Sequence, residues 1–147
     1  MNALLHPLNW RVGWALVLGA FVTGAGIGLF IHREDFLGGY QSYRRRLLRL
    51  GHIALAALGM LNVLFALTPW LMPAAATCFI VGGISMPVVC FLSAWQEKCR
   101  HLFCVPVVSL VVAVVMMLIG RDAAPRRPQS LNDAARAARA PYPEAGK

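Results

Sequence analysis

Four stretches without a single Lys, Arg, Asp or Glu, at residues 12–31, 50–67, 74–95 and 102–120, constrain this chain more than any other feature. Each is 18 to 22 residues long, and a helix needs about 20 apolar residues to cross about 30 Å of bilayer hydrocarbon. No water bonds the main chain inside lipid, so a spanning segment must close its own hydrogen bonds, and a helix does so. A transmembrane barrel would instead alternate over segments of about ten residues, a pattern this sequence lacks. The expected fold class is therefore all-α: a polytopic, up-down-up-down bundle of four transmembrane helices within residues 1–120. The short links between runs make sequence neighbours antiparallel and adjacent. From Arg121 onward Ala, Pro and Arg dominate, and 121–147 is expected to be a largely disordered tail.

Composition narrows the function classes. The chain is 59% hydrophobic and 14% charged, outside the range of ordinary soluble domains. A net charge of +8 invites a nucleic-acid reading, but the cations sit in the connections and the tail, where membrane proteins use them to set topology. Nucleic acid is thus excluded as a partner. Anionic lipid headgroups near Arg44, Arg45, Arg46 and Arg49 are the better use of that charge. The first run is too long for a signal peptide, which carries about 7 to 15 apolar residues, so it is expected to remain as a helix.

Seven Arg and Lys residues lie in the first and third connections, none in the second, and four flank the termini side. Positive-inside bias then places the first and third connections in the cytoplasm and both termini outside. The second connection, 68–73, is uncharged and has a Pro at each side.

Small residues recur four apart in the first run, at Ala20, Gly24 and Gly28, and continue to His32. On a helix these share one face, and small faces let membrane helices approach closely. The same spacing can also clear room for a flat ligand such as a porphyrin or a quinone. In the second run, His52, Ala56, Gly59, Asn62 and Ala66 fall within an arc of about 120° at 100° per residue. Polar groups within a membrane helix need partners, so this face is expected to point inward, with Asn62 as an interhelical hydrogen-bond anchor.

Antiparallel packing brings His32, His52 and His101 to one membrane face, with His6 on the other. Imidazole is the usual protein ligand of haem iron and a common metal ligand. His52 and His101, with His32 in reserve, are therefore the candidate cofactor-binding residues for haem or a transition metal. Glu34, Asp35 and Glu97 belong to the same face. Met86 and Cys90, one turn apart, offer soft sulfur of the kind that holds Cu(I). Pro87 between them removes a main-chain donor and predicts a kink in the third helix near Gly82 and Gly83. Cys99 and Cys104 flank His101 in a Cys-x-His-x-x-Cys order that matches no zinc or redox motif.

The segments Tyr43-Arg44-Arg45-Arg46-Leu47-Leu48-Arg49-Leu50-Gly51-His52-Ile53-Ala54 and Ser85-Met86-Pro87-Val88-Val89-Cys90-Phe91-Leu92-Ser93-Ala94-Trp95 resemble parts of uncharacterised small bacterial four-helix integral membrane proteins. The resemblance covers roughly half the chain; it implies the architecture and a bacterial inner membrane, and no activity. A broader similarity, to the four-helix haem-binding membrane anchors of respiratory complexes, implies paired ligands on facing helices, for which His52 with His101 or His32 is the best match. No membrane carboxylate of the kind used by small multidrug exporters is present, and no Cys-x-x-Cys of the disulfide-generating quinone reductases. The expected function is a non-catalytic accessory or assembly component of a membrane complex, homo-oligomeric or joined to other subunits. A small haem- or metal-binding redox protein is the alternative, and a small oligomeric transporter the third.

Overall fold

The computed structural model describes residues 5–30, 33, 36–39, 41–68 and 72–123. Their regular structure is entirely helical: α1 (Leu5–Phe30), α2 (Tyr43–Ala66), α3 (Pro73–Trp95), a 3-10 segment (Glu97–Phe103) and α4 (Cys104–Ala123). Four of these are long and apolar enough to cross a membrane. His32, Glu34, Asp35 and residues 124–147 lie outside the described residues, as does the side chain of Glu97.

The helices outrun the apolar runs. α1 begins at Leu5 and α2 at Tyr43, each taking in about two turns of polar sequence. Ser42 accounts for the early start of α2: its backbone is extended (φ −65°, ψ 144°) and its hydroxyl accepts from the Arg45 N–H at 3.3 Å, the usual satisfaction of an orphan donor at a helix start. Ahead of it, Leu37, Gly38 and Gly39 all adopt positive φ. Glycine does so without steric cost, whereas Leu37 bears about 1 kcal/mol or more in that region. The turn is held by Arg45, which is 5% exposed. Its Nε donates to the Phe36 carbonyl at 2.6 Å, Nη2 donates to the Arg33 carbonyl, and the guanidinium lies 5.6 Å from the Phe36 ring.

Proline marks the other starts. Pro73 opens α3, as proline at a first helical position does without loss of a bond, and Pro106 lies in the first turn of α4, which runs on directly from the 3-10 segment. Pro87 is fully buried within α3, which is helical on both sides of it.

Close approaches give the order of packing. A Cβ on Gly13 would stand 2.8 Å from the Gly59 carbonyl oxygen, and one on Gly59 would stand 2.8 Å from the Gly13 carbonyl oxygen. These two backbones touch where no side chain fits. The start of α1 thus meets the end of α2, while Gly24 further along α1 meets His52 of α2. Between α2 and α3, the Phe65 and Phe79 rings pack at 5.1 Å and Gly51 lies under Phe91. Between α3 and α4, Gly82 seats Leu110 and the Ser109 hydroxyl donates to the Cys78 carbonyl at 2.9 Å. Phe65, Ala75, Ala76, Phe79 and Ala113 form a buried cluster with Met72, Leu110, Met116 and Met117 packed against it. α2 and α3 form the interior, with 39% and 44% of their apolar spans buried. α1 and α4 form the outside, at 11% each.

Candidate functional site

The seam between α1 and α2 holds both a buried, hydrogen-bonded polar pair and an open groove. At its Asn9 end the seam is dry. Asn9 and Asn62 are 0% and 1% exposed. The Asn9 amide donates to Asn62 Oδ1 at 3.0 Å and to the Ala76 carbonyl at 3.2 Å. The Asn62 amide donates to the Phe79 carbonyl at 3.1 Å and to its own helix at Leu58, 2.9 Å. One pair of side chains therefore ties α1, α2 and α3 together. Among the described residues, the buried Asn9 Oδ1 has no hydrogen-bond partner. Asn62 sits one turn before the end of α2, with Gly83 against its amide nitrogen. Asn9 falls outside the charge-free run that begins at Val12, so the apolar pattern passes over it. Its signal is the helical step Asn9, Gly13, Ala20, Gly24, which places it on the small face.

Beyond Gly13 the glycines of α1 that meet α2 face its side chains and not its backbone. A Cβ on Gly13 would meet the Val63 side chain and the Gly59 and Val63 backbone, one on Gly24 would meet the His52 ring first, and one on Gly28 nothing among the described residues within 4 Å. The space between is an open groove of about 650 Å³ lined by Val17, Ala20, Phe21, Gly24, Ala25, His52, Ala56 and Met60. Ala20, Gly24, His52 and Ala56, singled out in the sequence on two separate helices, share this one wall. Gly59 and Asn62 belong to the tight end, and Gly28 faces open space.

His52 is the polar group of the groove. Its Nδ1 lies 3.2 Å from Thr23 Oγ1, and the Thr23 hydroxyl reaches the Gly19 and Ala20 carbonyls at 2.8 and 3.1 Å. Thr23 carries one proton. When it donates to a carbonyl, its oxygen accepts from Nδ1–H and Nε2 is a lone pair; when it donates to Nδ1, Nε2 carries the proton.

The other candidates are dispersed. His101 is exposed on the 3-10 segment, and neither a hydrogen bond nor a ring contact joins it to His52, which turns toward α1. Cys90 is fully buried and Met86 half-buried on α3. All four cysteines are free, and the Cys99 thiol donates to Gln96 Oε1 at 3.5 Å. His6 stacks on Phe65 at 5.5 Å with its Nδ1 3.2 Å from the Ala66 carbonyl, at the Asn9 end. Among the described residues no group of three or more His, Cys, Asp or Glu is placed to hold a metal ion.

The basic residues divide. Arg45 is committed to the Arg33 and Phe36 carbonyls, while Arg44 and Arg46 are exposed, with Arg46 donating to Gln41 Oε1 at 2.7 Å. Arg100 lies 5.4 Å over the Tyr43 ring, drawing the 3-10 segment to the start of α2. Comparison with known protein families, with curated proteins and with solved structures gives no match.

Proposed function

We propose that this protein is a multi-pass component of a bacterial inner membrane, its four helices crossing as an up-down-up-down bundle. Its role is that of a non-catalytic accessory or assembly subunit, packed against further copies of itself or a larger complex. The observation that carries the membrane reading is the inverted distribution of apolar surface. α1 and α4 leave most of their spans uncovered, with Phe21, Leu29, Leu118 and Ile119 each at least 67% exposed. In water such surface would be covered by association; in a bilayer, lipid solvates it. The resemblance of residues 43–54 and 85–95 to small bacterial membrane proteins supports the choice of membrane.

The accessory role is supported by what the buried polar side chains do. Asn9 donates to the Asn62 side chain and the Ala76 carbonyl, Asn62 to the Phe79 carbonyl and Arg45 to the Phe36 carbonyl, all contacts within the fold. A redox role through haem or metal on His52 and His101 has less support, since His52 packs on Thr23 and Gly24 of α1 and no contact joins it to His101. Arg44 and Arg46, next to the start of α2, suit contact with anionic headgroups on the cytoplasmic side, and Arg45 is the exception among these arginines because it faces inward.

Alkaline carbonate treatment of membranes tests insertion: the protein stays with the pellet if the helices span and is released if they do not. Size determination in mild detergent tests the assembly role. The expected mass exceeds that of one 16.0 kDa chain, and a monodisperse single chain contradicts it. A Soret band in the visible spectrum would favour the haem reading instead.

A further inference from the structure

We propose that the α1–α2 groove binds the head of a lipid-soluble quinone, in either its quinone or its quinol form, against His52. This rests on the membrane reading above, because the groove then opens sideways into lipid and its occupant arrives from the bilayer.

The chemistry of the walls selects the occupant. The groove runs from His52 to Met60, eight residues or about 12 Å along α2, and His52 is the only side chain with a strong hydrogen-bonding group among its lining residues. No Lys, Arg, Asp or Glu lines it. A phosphate or an amine placed there would find no counter-charge in a medium of low dielectric, so the head is neutral. The floor is Ala20, Gly24 and Ala56, whose small side chains let a flat ring lie close to the helices. Phe21 and Met60, 73% and 48% exposed, stand on either side with an aromatic face and a polarisable sulfur, both suited to ring contact. A space of about 650 Å³ is in the range of sites that hold small ligands, about 300–1,000 Å³.

Thr23 supplies the reason for a quinone in particular. Nδ1 of His52 is engaged at Thr23, which leaves Nε2 for the occupant. With the Thr23 proton on the Gly19 carbonyl, Nε2 accepts from a hydroxyl; with that proton on Nδ1, Nε2–H donates to a carbonyl. The ring bonds both oxidation states of one ligand without taking up charge. A sterol or an acyl chain makes no use of that exchange.

The test uses the full chain in phosphatidylcholine nanodiscs titrated with decylubiquinone and, separately, with its quinol. Wild type is expected to bind one molecule of either form saturably. Ala56→Phe fills the groove and should abolish binding. His52→Leu should weaken both forms about tenfold, the loss of one hydrogen bond, while His52→Gln, which keeps a donor and an acceptor, should stay within about threefold. Circular dichroism and elution volume check that each variant folds. If a variant does not, an azido-quinone photolabel on the wild type decides, with adducts expected on residues 17–25 and 52–60. Adducts confined elsewhere overturn the proposal, as does the absence of saturable binding. Loss in Ala56→Phe with no change in His52→Leu means an acyl chain or sterol occupies the groove and overturns the quinone assignment, and a Soret band in the purified protein does so in favour of a porphyrin. Failure to incorporate into nanodiscs at all overturns the membrane reading and this proposal together; incorporation without binding overturns this proposal alone.

Discussion

The two ends of the α1–α2 seam are built from the same residue types and do opposite things. At the Gly13 end, glycine on each helix removes the side chain at the point of contact, and the backbones meet. Two asparagines then bridge to a third helix. At the Gly24 end, glycine and alanine recur at the same helical step, but what lies across the seam is a side chain and not backbone. The room they leave is filled in part by the His52 ring and otherwise stays open. Small residues at four-residue spacing therefore specify a face and leave the distance to the neighbouring helix undetermined. The backbone contact falls at Gly13 and Gly59, and side chains line the seam beyond it.

The largest expected effect strikes the tight end. Gly59→Ala puts a Cβ within 3.0 Å of the Gly13 carbonyl and the Val17 nitrogen, and should cost about 3 kcal/mol through forced separation of two backbones, measured as a shift in unfolding midpoint in detergent. A neutral result would mean that the helices do not touch there. Asn62→Leu comes next, at about 2 kcal/mol, because it strands the buried Asn9 amide that it accepts from. A double-mutant cycle with Asn9→Leu should show coupling between the two sites.

Arginines at the other end of α2 make a third contrast. Arg45→Met removes charged donors from the Phe36 and Arg33 carbonyls and should cost about 1.5 kcal/mol, with faster amide hydrogen exchange at residues 36–39. Arg44→Met, on the exposed side, should stay within about 0.5 kcal/mol. Equal effects would remove the distinction between an inward and an outward arginine. The smallest expected effect has the opposite sign to the first. Gly28→Ala, with nothing within 4 Å, should stabilise by about 0.5–1 kcal/mol through helix propensity and a less flexible unfolded chain.

The four helices were legible because charge-free length is written along one dimension, and a span of 18 to 22 residues needs no partner to be recognised. Their starts were less so. Residues 5–11 and 43–49 carry His, Asn and Arg, and their helical state depends on contacts made elsewhere: His6 on Phe65, Asn9 on Asn62, Arg45 on the Phe36 carbonyl. An arginine that turns back to bind a loop reads in sequence like the exposed arginines on either side of it. The shared wall of Ala20, Gly24, His52 and Ala56 was visible as two separate helical faces. The contact of His52 with Thr23 was not, because it requires the lateral register of α1 against α2, which spacing within one helix does not encode. His52 and His101 bound the runs they border in similar ways, yet one turns toward α1 and the other lies in a 3-10 segment, a difference set by packing.

Side-specific labelling of the connections tests the central claim most directly. With the four native cysteines replaced, Leu67→Cys and Lys98→Cys each place one thiol on an exposed position between consecutive helices. In sealed, oriented membrane vesicles an impermeant maleimide should label Lys98→Cys from the cytoplasmic face alone and Leu67→Cys from the opposite face alone. Labelling of both thiols from the same face would contradict a chain that crosses the bilayer with α3.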